Sequence, residues 1–150
     1  MTLSYYEDIK LHEKFISKVP YVITQKEIIK FAREYDPQPM HVDPEFASKT
    51  GFGKLLAPGT HLLALCSKLA YDMPTRYAHV AGLGGDESRF LVPVHPGDAL
   101  TYETEVISKR HSKSDPDAGV VRWACLLKNQ RGEAVLTYKL VSLVAKKSKF

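Results

Sequence analysis

Cysteine is scarce in this sequence, and the residue patterns that hold structural metals are missing. The 150-residue chain has two cysteines, Cys66 and Cys125, and each lies within an apolar stretch. Neither belongs to a Cys-x-x-Cys pair, and the sequence contains no His-Glu-x-x-His run. We therefore expect two buried, reduced thiols, with no disulfide framework and no bound metal.

Long apolar runs are missing as well. No stretch is long enough to cross a bilayer. The first ten residues include Glu7 and Asp8 and lack the apolar segment of a secretory signal. We predict a cytoplasmic protein that does not associate with a membrane. The chain has no repeat or low-complexity segment, and its length suits one domain over residues 1–150.

The charge is only mildly unbalanced. Lysine and arginine number 21 against 17 aspartates and glutamates, which gives a net charge of +4. This excess favours an anionic partner, such as a phosphate-bearing cofactor. Because the basic residues are not interleaved with aromatic residues as in an RNA-binding sheet, we expect no nucleic-acid partner. Part of the excess falls in residues 145–150, where we predict a frayed basic tail.

Hydrophobic periodicity predicts helices in the first half of the chain and long strands in the second. Thr24 and Glu27 form a capping-box pattern at the start of a helix that must end before Pro37. A later helix, from about residue 57 to residue 72, is apolar nearly all round and should be buried. Alternating residues after position 98 predict long antiparallel strands. One buried helix and one curved sheet indicate an α+β fold in which the sheet wraps the helix.

The link between the first two predicted helices holds the strongest chemical candidates. Pro37 and Pro39 predict a rigid, extended segment, which would point Asp36 and His41 at one spot as a general acid/base pair. The alternative is that Asp36 only ends a helix and His41 is an ordinary loop histidine. We expect Asp43 to cap the following helix rather than to join His41 in catalysis.

The same link resembles the signature of the MaoC-like dehydratase family, which includes (R)-specific enoyl-CoA hydratases. That signature is an Asp, then Asn-Pro, an apolar residue, His, and an Asp or Asn two positions further on. The matching run here is Asp36-Pro37-Gln38-Pro39-Met40-His41-Val42-Asp43. The glycine that opens the family's central helix and the serine on that helix correspond to Gly59 and Ser67.

The resemblance extends over most of the chain, from residue 21 to residue 144. The runs 89–98 and 129–132 are similar to the family's later strand and turns. The sequence departs from the family at two positions: Gln38 stands where Asn is usual, and Pro58 stands where His commonly precedes the helix glycine. Gln38 keeps the amide but is one methylene longer. Pro58 has no N–H, and the amide that the chemistry needs belongs to the residues that follow it.

The resemblance implies a hotdog fold and reversible hydration of a trans-2-enoyl thioester. It implies that Asp36 and His41 hold one water and that the Gly59 N–H stabilises the thioester oxygen. It places four further residues at the substrate: Gln38, Pro58, Thr60 and Ser67. The substrate would be an acyl-CoA or acyl-carrier-protein thioester, with no cofactor beyond CoA itself. The family also implies a homodimer or a higher homo-oligomer.

Two other functions are open to a chain of this kind. Many hotdog thioesterases resemble one another in carrying an acid on the central helix, but residues 60–71 contain neither Asp nor Glu. A hotdog domain can also bind acyl thioesters without reacting, as an inactive subunit. The paired Asp36 and His41 favour the hydratase over both.

Overall fold

The computed structural model describes residues 2–149, in which eight strands accompany four α-helices. The strands are β1 (Thr2–Ser4), β2 (Lys14–Ile16), β3 (Tyr21–Val22), β4 (Thr75–Tyr77), β5 (His79–Phe90), β6 (Ala99–His111), β7 (Ala118–Lys128) and β8 (Ala134–Ala145). The helices are α1 (Gln25–Tyr35), α2 (Pro39–Val42), α3 (Pro44–Ser48) and α4 (Gly59–Tyr71), with 3-10 turns at Tyr6–Asp8 and Lys147–Lys149. Within this range no helix combines the length and the apolar character that crossing a membrane requires.

Six of the strands form one antiparallel sheet. Its order is β2-β6-β7-β8-β5, and β3 also pairs with β6. The strands β1 and β4 form a separate parallel pair. Inward and outward residues alternate along β6 as its sequence predicts: Tyr102, Thr104 and Val106 are buried, whereas Glu103 and Glu105 are partly exposed. Because β5 stands at the end of this order, it forms one edge of the sheet.

The helix α4 packs its buried side against the inner face of this sheet. Leu62, Leu65, Cys66 and Leu69 lie in one hydrophobic cluster with the inward side chains of β6, β7 and β8. The prediction of an α+β fold in which a sheet wraps a central helix is confirmed. The expectation that α4 is buried all round holds for one side only, because Ala64, Ser67, Lys68 and Tyr71 are exposed.

The start and end of α1 fix the position of Asp36. The Thr24 side chain accepts from the Glu27 N–H at 3.2 Å, and the Glu27 carboxylate accepts from the Thr24 N–H at 3.1 Å, so the predicted capping box is present. At the other end Asp36 donates its N–H to the Ala32 carbonyl and then leaves the helix, with φ −154° and ψ 72°. Pro37 follows and prevents a further helical turn.

The link after α1 is less extended than its prolines predict. Gln38 is extended, with φ −69° and ψ 143°, but Pro39 starts the short helix α2, which carries His41. The reason is that proline suits the first helical turn, where its missing N–H costs nothing. Asp43 then caps α3 by accepting from two backbone N–H groups, those of Glu45 and Phe46, as predicted.

Residues 145–147, the start of the predicted basic tail, contact the rest of the domain, and fraying of residues 145–150 as a whole stays a prediction. Ala145 is fully buried at the end of β8. Lys146 donates its N–H to the Asp117 carbonyl, and the Lys147 ammonium pairs with Asp8. Lys146 and Lys147 therefore find acceptors in the loop before β7 and in the first 3-10 turn. Residue 150 lies outside the described residues.

Candidate active site

The structure brings Asp36 and His41 together, with His41 bonded to Leu56 in the segment that leads into α4. The Asp36 Oδ2 atom lies 3.6 Å from the His41 Nε2 atom. The His41 side chain is 10% exposed and that of Asp36 is 30% exposed, so solvent reaches the pair from the carboxylate side. The separation is too long for a direct hydrogen bond, which leaves the two groups facing each other across a narrow gap.

The tautomer of the neutral His41 ring follows from the contact that its second ring nitrogen makes. The Nδ1 atom lies 2.6 Å from the Leu56 carbonyl oxygen. Because a carbonyl can only accept, Nδ1 must carry the proton, and Nε2 of the neutral ring presents a lone pair to Asp36. An ionised carboxylate also presents only lone pairs. Two acceptors at this distance suit a water that donates one O–H to each and keeps an oxygen lone pair free.

A second histidine fixes the same stretch of backbone from its opposite side. The His95 Nδ1 atom donates to the Leu55 carbonyl at 2.8 Å, next to the carbonyl that His41 uses. The backbone N–H of Leu56 bonds to the Met40 carbonyl, and the next N–H along, that of residue 57, bonds to residue 94. The segment that leads into α4 is therefore held between the His41 and His95 segments. Sequence reasoning missed His95, because its pattern is that of an ordinary proline-glycine turn.

The first N–H groups of α4 have no capping side chain to accept their hydrogen bonds. The N-cap is Pro58, which is fully buried and has no side-chain acceptor. The Pro58 carbonyl accepts from His61 and Leu62. Among the described residues, the Gly59 and Thr60 N–H groups have no hydrogen-bond partner. The positive end of a 13-residue helix thus offers unpaired donors.

An aromatic ring lies against Gly59. A Cβ atom built on Gly59 would lie 2.5 Å from Cζ of Phe90, and two more ring carbons lie within 3.0 Å of that position. The φ of Gly59 is not in the left-handed region. The close approach of Phe90, and not the backbone conformation, is therefore what favours glycine here. The sequence does not reveal this contact, which joins residues 31 positions apart.

A buried histidine joins α1 to the first turn of α4. The His61 ring stacks on Phe31 with centroids 4.5 Å apart, and its Nε2 atom lies 3.9 Å from the Glu27 carboxylate. Burial lowers the pKa of His61, and the charge on Glu27 opposes that shift. A neutral ring at this place contributes packing and keeps the two helices in register. No motif in the sequence marks His61 for this position.

The substrate-binding residues predicted by resemblance lie in different surroundings. Pro58 and Thr60 flank Gly59, with Pro58 buried and Thr60 exposed. Gln38 is exposed at the start of α2, and its side chain makes no hydrogen bond within residues 2–149. Ser67 lies two turns along α4 from Gly59, and its hydroxyl reaches back to the Leu63 carbonyl at 3.5 Å.

A cavity of about 720 Å³ extends along α4 from its second turn. Its walls come from the exposed side of α4, the inner face of the sheet and β5, and include Leu63, Ser67, Ala70, Tyr102, Tyr138 and Leu140. Its near end at Leu63 lies one helical turn from Gly59, whereas Asp36 and His41 lie outside its lining.

Both cysteines are buried and free, as predicted, and burial raises the pKa of the Cys66 thiol to about 12.

The chain is similar in sequence and structure to a known family. The family described as "MaoC like domain" matches residues 8–123. The solved MaoC-like dehydratase of Rhodospirillum rubrum is 34% identical, with a TM-score of 0.89 over 96% of this chain and 98% of that one. At this identity and coverage the likeness includes the hotdog architecture predicted from the sequence.

Two characterised relatives have names that specify hydration. The mesaconyl-CoA hydratase of Cereibacter sphaeroides is 32% identical over 95% of this chain, which spans 41% of that protein. The (R)-specific enoyl-CoA hydratase of Aeromonas caviae is 34% identical over 79 residues, which are 52% of this chain and 57% of that one. The chain thus corresponds to part of the length of each.

Proposed function

The chain belongs to the MaoC-like domain family, and on that premise we propose that it hydrates a trans-2-enoyl thioester reversibly to a 3-hydroxyacyl thioester. The observation that carries the proposal is the facing pair of Asp36 and His41, which hydrogen bonds tie to the segment that leads into α4. The hydratase names of two relatives support the reaction class.

In this proposal Asp36 and His41 hold the attacking water between them. One of the two groups takes a proton from the water as the water oxygen bonds to the β-carbon and the double-bond electrons move toward the thioester oxygen. The pair then returns a proton to the α-carbon as the enolate collapses, which restores its own protonation. The Leu56 carbonyl holds a proton on Nδ1 of His41, so Nε2 is the ring nitrogen that faces Asp36 and the water. General acid/base catalysis of this kind contributes roughly 10²–10⁴-fold to the rate. No metal or redox group takes part in these steps.

The oxyanion that forms on the thioester needs a donor already in place. The Gly59 N–H fits this role because it lacks a partner and lies at the positive end of α4. One such donor contributes roughly 3 kcal/mol to stabilisation of the transition state. The cavity along α4 would take the acyl chain, with Ser67 on its wall. Its mainly apolar lining suits a hydrocarbon tail.

Crotonyl-CoA is the substrate that tests the proposal in its simplest form. We expect purified protein to remove the enoyl absorbance without releasing free thiol. Thiol release with the enoyl group intact would indicate a thioesterase, although within α4 no Asp or Glu is present to activate water for that reaction. If the protein neither removes the enoyl absorbance nor releases thiol, and longer and branched enoyl-CoA substrates are also inert, it would be a non-catalytic binding subunit.

We also propose that the protein works as a homodimer on CoA or carrier-protein thioesters in the cytoplasm. The strand β5 is a sheet edge that exposes large apolar residues: Val80, Leu83 and Phe90 are 41%, 54% and 56% exposed. An apolar edge of this length invites pairing with another chain. A second copy paired at β5 would lie beside Gly59, because Phe90 contacts that residue. The buried free thiols suit a reducing compartment.

Sedimentation equilibrium at micromolar concentration checks the predicted dimer. We expect twice the mass of the 16.9 kDa chain, or a multiple of that dimer. Replacing Leu83 by Lys places a charge on the exposed edge and should shift the equilibrium toward monomer. Only monomer in the wild type at these concentrations would contradict the prediction.

A further inference from the structure

The ring of Phe90 lies unusually close to the proposed oxyanion donor. A Cβ atom lies about 2.5 Å from its own amide nitrogen. The Phe90 Cζ atom is 2.5 Å from the position of such a Cβ on Gly59. The ring edge is therefore no more than about 5 Å from the Gly59 nitrogen. An oxygen that accepts from that N–H at about 2.9 Å lies within about 8 Å of the ring edge.

Burial in the core does not account for this placement. In the single chain Phe90 is 56% exposed, so much of its surface has no contact with the rest of that chain. Its neighbour Leu91 is 54% exposed, and no part of Leu91 is among the three closest atoms over Gly59. The two residues leave similar fractions of their surface exposed, but Phe90 alone is placed against the amide. A half-exposed ring can also turn without repacking the core.

We propose that Phe90 is a specificity-determining residue that forms the wall of the thioester subsite and excludes acyl groups branched at the α-carbon. This inference rests on the proposed hydratase function and on binding of the thioester oxygen by Gly59. In an enoyl thioester the α-carbon is bonded to the carbonyl carbon. When the double bond and the carbonyl group are s-trans, a methyl group on the α-carbon lies on the side of the carbonyl oxygen, toward the Phe90 ring. An unbranched enoyl group, which is flat, passes the ring edge.

The test compares crotonyl-CoA with its α-methyl analogue, 2-methylcrotonyl-CoA, in four proteins. These are the wild type, Phe90→Leu, Phe90→Ala and, as a control of matched exposure, Leu91→Ala. The quantity measured is the ratio of kcat/KM for the branched substrate to kcat/KM for the unbranched one. The difference in intrinsic reactivity between the two substrates is the same for every protein, so it cancels when these ratios are compared. Circular dichroism and gel filtration establish that each variant is folded and keeps the wild-type assembly.

We expect the ratio to shift toward the branched substrate by at least about tenfold in Phe90→Ala, since one methyl group in a pocket discriminates by roughly 10–200-fold. Phe90→Leu, which preserves an apolar side chain, should lie between Phe90→Ala and the wild type. Leu91→Ala should retain the wild-type ratio. An unchanged ratio in folded, active Phe90 variants would overturn the inference and leave the hydratase proposal standing. A wild type inactive on both substrates and on longer enoyl-CoA esters would overturn both.

Discussion

Asp36→Asn and His41→Ala are each expected to reduce kcat for enoyl hydration by roughly 10²–10⁴-fold, the full contribution of acid/base catalysis. Asn at position 36 keeps the shape of the side chain but cannot take a proton. Ala at position 41 removes Nε2, the second acceptor for the water, and leaves the Leu56 carbonyl without its donor. The measurement is kcat with crotonyl-CoA, with thermal unfolding followed by circular dichroism.

The sequence offers a matched control for the loss of a carboxylate. Asp43 lies two positions after His41 and caps α3 through two backbone N–H groups. Because Asn caps a helix about as well as Asp, Asp43→Asn should leave both stability and kcat nearly unchanged. If Asp36→Asn or His41→Ala kept near-wild-type kcat, the pair would have no place in the mechanism. If Asp43→Asn were equally damaging, Asp43 would be the catalytic acid instead.

Gly59→Val is expected to lower kcat about a hundredfold, which corresponds to roughly 3 kcal/mol of lost transition-state stabilisation. The new methyl groups would lie beside the amide that binds the oxyanion. The effect on stability should be smaller, because valine in a helix costs less than about 1 kcal/mol relative to alanine. The added Cβ would also meet the Phe90 ring, but that ring is half-exposed and can move aside.

A double variant separates occlusion of the amide from displacement of Phe90. In Gly59→Val/Phe90→Ala the steric conflict is gone, so its melting temperature should match that of Phe90→Ala. Its kcat should remain low if valine itself obstructs the donor. If Gly59→Val alone has a lowered melting temperature but a normal kcat per folded molecule, Gly59 is a packing residue. The oxyanion donor would then have to be sought elsewhere.

Local rules account for the elements that place the candidate pair. The Thr24 and Glu27 capping box, the end of α1 before Pro37, and the Asp43 cap all depend on residues within four positions of each other, and the structure contains each of them. Strand alternation in β6 and the burial of one side of α4 follow from the pattern of apolar residues. These features can be predicted from the sequence because the residues that interact are close to one another along the chain.

The features that sequence reasoning missed depend on contacts between distant residues. The bond from His95 to Leu55 spans 40 positions, and no pattern marks either residue. The approach of Phe90 to Gly59 depends on how β5 crosses the start of α4. The helical turn of α2 is a local exception, since proline both favours extended neighbours and starts helices. The contacts of Lys146 with Asp117 and of Lys147 with Asp8 likewise join residues that are far apart in the sequence.

The most direct test of the central claim is to follow water oxygen into the product. Crotonyl-CoA is incubated with the wild type in water enriched in ¹⁸O, and the acyl products are analysed by mass spectrometry. The Asp36/His41 mechanism predicts one ¹⁸O atom in the hydroxyl group of intact 3-hydroxybutyryl-CoA, with no free CoA, and almost none of this product from Asp36→Asn. Label found instead in a free carboxylate alongside released CoA would contradict the account.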